Sequence, residues 1–257
     1  MKQLLTLLIG IFLTASIYAD CSASGLSVFP NGDEVKPNSI FVLNGYSLSQ
    51  NIILKLNNGH DIYLESSTLK VRLLVTEICI GQYNLIQAIL KPEIELEVGL
   101  EYTMHIDSLP EDEIFYKYNR TKQKIELPSY KVIAGNDTVK PQLKSKPKVI
   151  KKSLIYYGCG PSTYVVFDNP AKDDSEIIVK TTVKSLKTGI ESTYYIQPDG
   201  DEIYVGHDFC ASAFEFFDGK KYEVEFSFMD ASGNLNGWTG KRIKFTKPTK
   251  ESDKDDE

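Results

Sequence analysis

The sequence predicts an all-β protein in which two consecutive β-sandwiches follow a cleaved signal peptide. Three observations support this prediction. Short runs rich in Val, Ile, Tyr and Phe recur along the chain, clusters of Gly, Asn, Asp and Pro separate them, and a Gly-x-x-Tyr element occurs twice. Many short strands at such spacing are typical of sandwiches and barrels. A helical fold is disfavoured, because no stretch combines a sustained 3.6-residue apolar period with helix caps.

The first residues have the order of a secretory signal peptide. Lys2 provides a positive charge, residues 4–13 form an apolar run, and Ala19 offers a cleavage site, so we expect residues 1–19 to be removed. The apolar run is too short to span a membrane, and no later segment is long and apolar enough to do so. Two alternatives stay open: an uncleaved anchor, and a bacterial lipoprotein acylated at Cys21. Each of these possibilities predicts a secreted, periplasmic or cell-surface protein.

The apolar runs supply candidate strands in both halves of the mature chain. They include residues 40–43, 51–56, 71–75, 164–167, 176–180, 222–228 and 242–245. Turn-forming residues lie between such runs, at positions 58–59, 199–200, 218–219 and 232–234. β-Branched and aromatic side chains pack well on a pleated surface, whereas Asn-Gly and Asp-Gly favour tight turns. We therefore expect the runs to be strands and the Gly-containing pairs to be turns.

A repeated element makes the domain count firmer than length alone does. Residues 96–102 have the pattern Leu-x-x-Gly-x-x-Tyr, and residues 216–222 have the pattern Phe-x-x-Gly-x-x-Tyr. The two copies lie 120 residues apart, which is a plausible period for a domain. In each copy a turn leads into a strand whose alternate residues face a core.

This element resembles the approach to strand F in fibronectin type III and bacterial Ig-like domains, where the tyrosine forms a tyrosine corner. The resemblance implies two tandem Ig-like sandwiches in which the hydroxyls of Tyr102 and Tyr222 bond back to nearby backbone. Residues 30–42 also resemble the first strand of bacterial Ig-like domains from surface-layer and adhesin proteins, and residues 228–234 resemble the corner between the last two strands. Trp238 departs from the antibody pattern, because it lies near the end of the chain rather than in a core strand.

Composition sets the predicted domain limits. We predict a first Ig-like domain over residues 20–139, a Lys-rich linker over 140–152, a second Ig-like or fibronectin type III-like domain over 153–248, and a disordered tail over 249–257. The linker has six lysines and no acidic residue, and the tail is charged with little apolar surface to bury.

Four cysteines predict disulfides rather than a metal site, because an even number of cysteines in an exported chain is typical of disulfide bonding. Three pairings are possible. We favour Cys21–Cys79 and Cys159–Cys210, because each pair then stays within one predicted domain. Closing loops of this length would contribute about 4 kcal/mol per disulfide in the chain-entropy account.

Two adjacent tyrosine pairs are the candidate binding residues, Tyr156–Tyr157 and Tyr194–Tyr195. On a strand, one ring of each pair would face outward, where it could stack on a sugar or anchor a protein contact. Tyrosine is also a favoured strand residue on a buried face, so core packing remains the alternative.

The sequence marks no catalytic or metal site. His60, His105 and His207 are not at metal-ligand spacing, and no catalytic fingerprint is present. His105 should point to the solvated face of its strand. Acidic loops at residues 168–176 and 199–202 offer oxygen atoms suited to Ca²⁺, but Asp and Gly are also ordinary turn residues. We predict neither a metal nor a cofactor.

The net charge of the chain indicates which classes of partner are disfavoured. The formal net charge of −6 argues against a nucleic-acid or anionic-membrane partner. The lysine run could meet an anionic polymer, although such runs are more typical of a solvated linker. Asn119 and Asn136 begin N-glycosylation sequons, which matter only in a eukaryotic secretory pathway, and we assign no glycan to them.

Together these features predict a non-enzymatic protein of the cell envelope or exterior. It would act by protein or glycan contact, in adhesion, as a scaffold or in surface interaction, through loops at the sandwich ends. The alternatives are a carbohydrate-binding module or accessory subunit, and a hydrolase whose carboxylates are distant in sequence. A resemblance in fold does not choose between them, and the oligomeric state stays open.

Overall fold

The computed structural model describes residues 24–158, 160–217 and 219–249. Most of these residues lie in strands, which confirms the predicted all-β class. The predicted signal peptide, Cys21, Cys159 and nearly all of the charged tail lie outside the described residues. Within the described ranges, no helix has the length and apolar character needed to cross a bilayer.

Ten strands form a curled sheet in the first half of the described chain. They are β1 (Gly25–Phe29), β2 (Glu34–Val35), β3 (Phe41–Tyr46), β4 (Ile62–Glu65), β5 (Lys70–Ile80), β6 (Leu85–Pro92), β7 (Glu101–Ile106), β8 (Phe115–Asn119), β9 (Lys124–Glu126) and β10 (Ser129–Val132). The order across the sheet is β2-β10-β7-β4-β5-β6-β3-β1-β8-β9. Neighbours pair antiparallel except β1 with β8 and β2 with β10, which are parallel.

Strand β5 lets this sheet close around one core. Its beginning pairs with β4, its remainder pairs with β6, and the register shifts between Val75 and Glu77. A bulge of this kind bends a strand and increases its twist. The two arms of the sheet therefore supply side chains to a single apolar cluster, which includes Leu43 from β3 and Met104 from β7.

Residues Gln50–Leu54 form a short helix, α1, so the prediction of a strand over residues 51–56 is wrong. Ile52 and Ile53 are buried, and the helix packs on β3 and β6. Gly45 on β3 permits the close approach, since a Cβ there would lie 2.5 Å from Cγ1 of Ile53. A short apolar run is compatible with either structure, and here packing against the sheet selects the helix.

Lys117 on β8 is a buried cation whose side chain is only 1% exposed. Its Nζ donates to the carbonyl oxygens of Gly32 at 2.8 Å and Ser129 at 2.7 Å, and to Oδ1 of Asp33 at 2.9 Å. Three acceptors therefore match the three N–H donors of the ammonium. Hydrogen bonds from Lys122 and Lys117 lower the pKa of Asp33 to about 2. This cluster joins β8 to the loop before β2.

The second half of the chain contains two larger sheets and one small one. Its strands are β11 (Gln142–Leu143), β12 (Val149–Tyr157), β13 (Gly160–Asp168), β14 (Ala171–Lys172), β15 (Ile177–Ser185), β16 (Glu191–Ile196), β17 (Glu202–His207), β18 (Lys221–Asp230), β19 (Leu235–Asn236) and β20 (Ile243–Thr246). One sheet has the order β12-β13-β17; the other has the order β16-β15-β18, with β19 and β20 both on β18. Both contribute to one aromatic cluster, in which Phe167 and Phe226 lie 5.0 Å apart between ring centroids.

The segment predicted as a linker, residues 140–152, is partly paired in strands. Strand β11 pairs with β14, and β12 begins at Val149, opposite Phe167 of β13. Strand β12 lies at the edge of its sheet, where lysines are well tolerated because they keep their charge in water. The run of lysines therefore marks an edge strand as well as a connection.

The repeated Gly-x-x-Tyr element has the same local geometry in both halves. Gly99 and Gly219 have φ angles of +88° and +87°, a conformation that glycine adopts readily. The hydroxyl of Tyr102 accepts a hydrogen bond from the backbone N–H of Glu97 at 3.3 Å. The hydroxyl of Tyr222 donates to the carbonyl oxygen of Gly219 at 3.4 Å. Each buried tyrosine thus bonds to backbone a few residues upstream.

The two halves pack on each other through the outer face of the first sheet. The contact cluster consists of Phe29, Ile40, Val42, Cys79 and Ile89 from the first half and Ile178, Tyr195, Met229 and Ala231 from the second. Backbone hydrogen bonds reinforce it, from Ile40 N–H to the carbonyl of Ala231 at 2.8 Å and from Gln82 N–H to the carbonyl of Ala213 at 2.7 Å. Because β6 is covered on both faces, its first six residues are all buried. We call this contact the junction.

Candidate functional site

A cleft of about 330 Å³ lies beside the junction and is lined by residues of both halves. Its floor is the outer face of β1 and β3, one wall is β8, and the other wall is formed by residues of β15 and β16 and the segment after β16. Small-molecule sites usually occupy about 300–1,000 Å³, so the cleft is large enough for a small ligand.

A polar row crosses the floor of the cleft. The strand registers place Gln87, Asn44, Ser27 and Tyr116 side by side on β6, β3, β1 and β8. Nε2 of Gln87 donates to Oδ1 of Asn44 at 2.8 Å, and Nδ2 of Asn44 donates to Oγ of Ser27 at 3.2 Å. Residues opposite each other on neighbouring strands share a face. The floor therefore presents amide and hydroxyl groups held in place by one another.

Strand β8 supplies the aromatic wall. Tyr116 and Tyr118 alternate with the buried Lys117, so the tyrosines point to the opposite face, and both line the cleft. Tyr118 is 44% exposed. Burial raises the pKa of Tyr116, so its hydroxyl stays neutral and can both donate and accept hydrogen bonds. Arg120 extends this wall, and its Nη1 donates to the carbonyl of Pro198 in the other half at 2.6 Å.

Gln87 binds the second half at the back of the cleft. Its Oε1 accepts a hydrogen bond from the backbone N–H of Tyr195 at 2.7 Å, and its Nε2 donates to the carbonyl of Tyr195 at 2.9 Å. Strand β16 is an edge strand, whose outward backbone groups need partners when they are buried. Nearby, Nδ2 of Asn31 donates to Oε1 of Gln197 at 2.6 Å. Polar side chains of the first half thus bind the wall that the second half forms.

Glu77 on β5 adds an ion pair at the junction. Its carboxylate lies 2.7 Å from Nζ of Lys180 and accepts a hydrogen bond from the hydroxyl of Tyr195 at 2.9 Å. Burial acts to raise the pKa of Glu77, but the hydrogen bonds from Lys180 and Tyr195 outweigh it, so the pKa is lowered. The ionised carboxylate therefore links β15, through Lys180, and β16, through Tyr195, to β5.

Cys79 and Cys210 carry free thiols in the structure, so the predicted disulfides Cys21–Cys79 and Cys159–Cys210 are not formed in it. Cys21 and Cys159 lie outside the described residues. Cys79 is buried in the junction, where burial raises the pKa of its thiol to about 12. The prediction paired cysteines by position in the sequence, whereas packing places Cys79 against the other half.

We expect Cys79 to resist alkylation in the native protein. The thiolate is the reactive form, and a thiol with a pKa of about 12 is almost entirely protonated at neutral pH. Treatment with iodoacetamide followed by peptide mass mapping should leave Cys79 unmodified in buffer and modify it in urea. Labelling of native Cys79, or its recovery in a disulfide-linked peptide, would contradict the structure.

The predicted tyrosine pairs do not form the expected platforms. Tyr194 is 2% exposed in the core of the second half, and Tyr195 is 6% exposed in the junction, so the prediction that one of these rings faces outward is wrong. The junction covers the outer face of β16, which explains why both rings are buried. Tyr156 and Tyr157 are 54% and 39% exposed, and the ring of Tyr157 packs on Phe209. Neither pair lies on β8.

Three aspartates from distant parts of the chain meet at one point. Carboxylate oxygens of Asp137, Asp173 and Asp230 all lie within 4.8 Å of one another, an arrangement whose oxygen atoms suit a hard cation. Burial raises the pKa of Asp230, and the charge of Asp137 contributes to the same effect. Each carboxylate is already hydrogen-bonded locally, as Asp230 is to Nδ2 of Asn234 at 2.8 Å. We assign no metal to this cluster.

The other residues that the sequence marked as candidate sites make structural contacts. Of the acidic loop at residues 168–176, only Asp173 joins the aspartate cluster. The side chain of His105 is partly exposed, as expected from strand alternation, and its ring stacks on Tyr63. Asn119 is buried, and its Nδ2 donates to carboxylate oxygens of Asp33 and Glu126. This sequon asparagine is therefore inaccessible to a glycan-transfer enzyme in the folded protein.

Apart from Tyr195, whose buried ring lines the back of the cleft, sequence reasoning missed the residues that line it. One local signal was present for β8, where Tyr116 and Tyr118 alternate with Lys117. A second was Gln87, a single amide within an otherwise apolar run from residue 85 to 90. A buried amide needs hydrogen-bond partners, but the partner, Tyr195, lies 108 residues away.

No family model matches the chain, and no curated protein matches it. Similar solved structures include pullulanase type I from Bacillus subtilis str. 168 complexed with maltose, with 11% identity and a TM-score of 0.25 over 87% of this chain and 24% of that chain. Another is the pullulanase from Anoxybacillus sp. LM18-11 complexed with maltotriose, with 8% identity and a TM-score of 0.23 over 81% of this chain and 24% of that chain. The chain thus spans about a quarter of the length of these neighbours, and at such TM-scores the likeness carries no argument about fold or function.

Proposed function

We propose that this chain is an exported, non-enzymatic binding protein built from two Ig-like, fibronectin type III-like sandwiches. Its partner, a protein or a glycan, would bind in the cleft between them. The signal-peptide pattern of residues 1–19 supports export to the periplasm, the cell surface or the exterior.

The strand order of the second half supports the Ig-like part of the proposal. Strands β12, β13 and β17 form one sheet, and β15, β16, β18 and β20 belong to the other. This three-against-four arrangement, with consecutive strands passing from one sheet to the other, is the kind found in fibronectin type III and related sandwiches. The first half is less regular, because β5 joins both arms of its sheet.

The observation that carries the proposal is the lining of the cleft. Both halves contribute side chains, among them Tyr118 and Arg120 from the first and Gln197 from the second. Apolar contact and hydrogen bonds at the junction hold the two halves together, and hydrogen bonds to Pro198 and Asn31 orient Arg120 and Gln197 before any partner arrives. A concave site with aromatic rings and a few oriented polar groups is typical of ligand recognition.

The test is a comparison of retained partners. The mature protein, residues 20–257, is immobilised and exposed to an envelope extract from the source organism, beside the double variant Tyr118→Ala/Arg120→Ala. We expect a defined partner to be retained by the wild type and lost by the double variant. Tyr156→Ala is the matched control, because this ring is also exposed but does not line the cleft. Equal retention by all three proteins, or no retained partner, would refute the proposed function.

A further inference from the structure

We infer that the cleft binds a neutral, hydroxyl-rich ligand, namely a short oligosaccharide segment, with Tyr118 stacking on a sugar ring. This inference rests on the proposed function and specifies the chemistry of its ligand. It depends on three properties of the cleft: the kinds of side chains that line it, its charge, and the way its floor is built.

The lining combines tyrosines with side-chain amides. Tyr46, Tyr116, Tyr118 and Tyr195 line the cleft together with Asn31, Asn44, Gln87 and Gln197. An amide and a phenol each offer both a donor and an acceptor, as a sugar hydroxyl does. The aliphatic C–H face of a pyranose is apolar and fits against an exposed aromatic ring.

The charge of the cleft favours a neutral ligand. Among the described residues that line it, Arg120 is the only charged one. Its Nη1 lies 3.3 Å from the carboxylate of Asp199 and donates to a backbone carbonyl, so its charge is partly offset. Recognition of a phosphate or a carboxylate usually relies on a cluster of cations. The guanidinium still has further N–H donors for sugar hydroxyls.

The floor of the cleft disfavours an extended peptide. Strands β1, β3, β6 and β8 are hydrogen-bonded to one another through their backbones, so the floor is a sheet face and not an open edge. A peptide that adds to a sheet needs unpaired backbone groups along an edge strand. The face offers side chains instead. Asn44 is held between Gln87 and Ser27, so its amide is oriented before a ligand binds.

The experiment is direct titration of the mature protein with neutral oligosaccharides. Isothermal titration calorimetry with a panel of glucan, galactan, mannan and N-acetylhexosamine oligomers would identify the sugar. We expect Tyr118→Ala to weaken binding about tenfold, and Tyr118→Phe to retain it within about threefold, because phenylalanine keeps the stacking ring. Tyr156→Ala, which removes an exposed ring elsewhere, should bind as the wild type does.

Two outcomes would overturn the inference: no binding to any neutral oligosaccharide at millimolar concentration, or binding that Tyr118→Ala leaves unchanged. The envelope pull-down separates this failure from that of the proposed function. If the double variant loses a protein partner while no sugar binds, the ligand class is wrong and the binding function stands. If the pull-down yields no cleft-dependent partner and no sugar binds, both are wrong.

Discussion

Lys117→Ala is expected to lower the free energy of unfolding by about 3–5 kcal/mol. The substitution removes the ammonium that donates to the carbonyl oxygens of Gly32 and Ser129 and to Asp33. It also removes the buried aliphatic stem, which leaves a cavity beside the ring of Tyr130, 4.6 Å from Nζ. Urea denaturation followed by circular dichroism measures the loss.

Two further variants separate the contribution of the Lys117 charge from that of its aliphatic stem. Lys117→Met keeps the volume of the stem but not the charge, so it should recover part of the stability that alanine loses. Lys124→Ala is the matched control on the neighbouring strand β9, where the side chain is exposed and its ion pair with Glu126 should contribute little to stability. If Lys117→Ala were no more damaging than Lys124→Ala, the buried cluster would not contribute as described.

The stabilisation that the ion pairs of Asp33 provide is expected to decrease at low pH. The pKa of Asp33 is about 2 in the folded protein and near its usual value of 3.8 in the unfolded chain. The unfolded chain therefore takes up the proton first, so the stabilisation is fully present above about pH 4 and is lost as the pH falls towards 2. The stability difference between the wild type and Lys117→Met should shrink over that range. Lys122 also bonds Asp33, so the variant keeps part of the pH dependence.

Gln87→Ala is expected to lower the free energy of unfolding by about 2–4 kcal/mol, because the N–H and the carbonyl of Tyr195 lose their partner in a buried place. The side chain of Gln87 is 3% exposed, so water does not readily replace it. The same substitution removes a direct link between the halves. We therefore also expect their unfolding to become less cooperative.

Two probes can detect that change. Trp238 is the only tryptophan of the chain and lies in the second half, so its fluorescence follows that half, whereas circular dichroism follows both. The two urea transitions should coincide in the wild type and separate in Gln87→Ala. Gln142→Ala, at an exposed position of β11, is the control and should shift neither urea transition. Coincident, unshifted transitions in Gln87→Ala would contradict the role of this amide.

Much of the strand pattern could be predicted from local sequence. The runs at residues 71–75, 164–167 and 222–228 all lie within observed strands, because β-branched and aromatic residues between turn-forming clusters pack well on a sheet. The Gly-x-x-Tyr element has the same backbone conformation at Gly99 and Gly219. These features depend on neighbours within a few residues, which a sequence displays directly.

Other outcomes depended on contacts between distant segments. The run at residues 51–56 is compatible with a strand or a helix. Close packing of Ile53 against Gly45 of β3 favours the helix. Tyr195 and Cys79 alternate as strand residues should, yet both are buried because another sheet covers their outer face. Alternation indicates which residues share a face, but not whether that face meets water or a second domain.

The sequence by itself thus determined the all-β class, many of the strands and the repeated turn before a core tyrosine. Only the tertiary structure decided where the two halves touch, and therefore where the cleft lies. The physical reason is that the junction joins surfaces such as Gln87 on β6 and Tyr195 on β16, whose complementarity is a property of two folded sheets. Neither surface carries a local pattern that specifies the other.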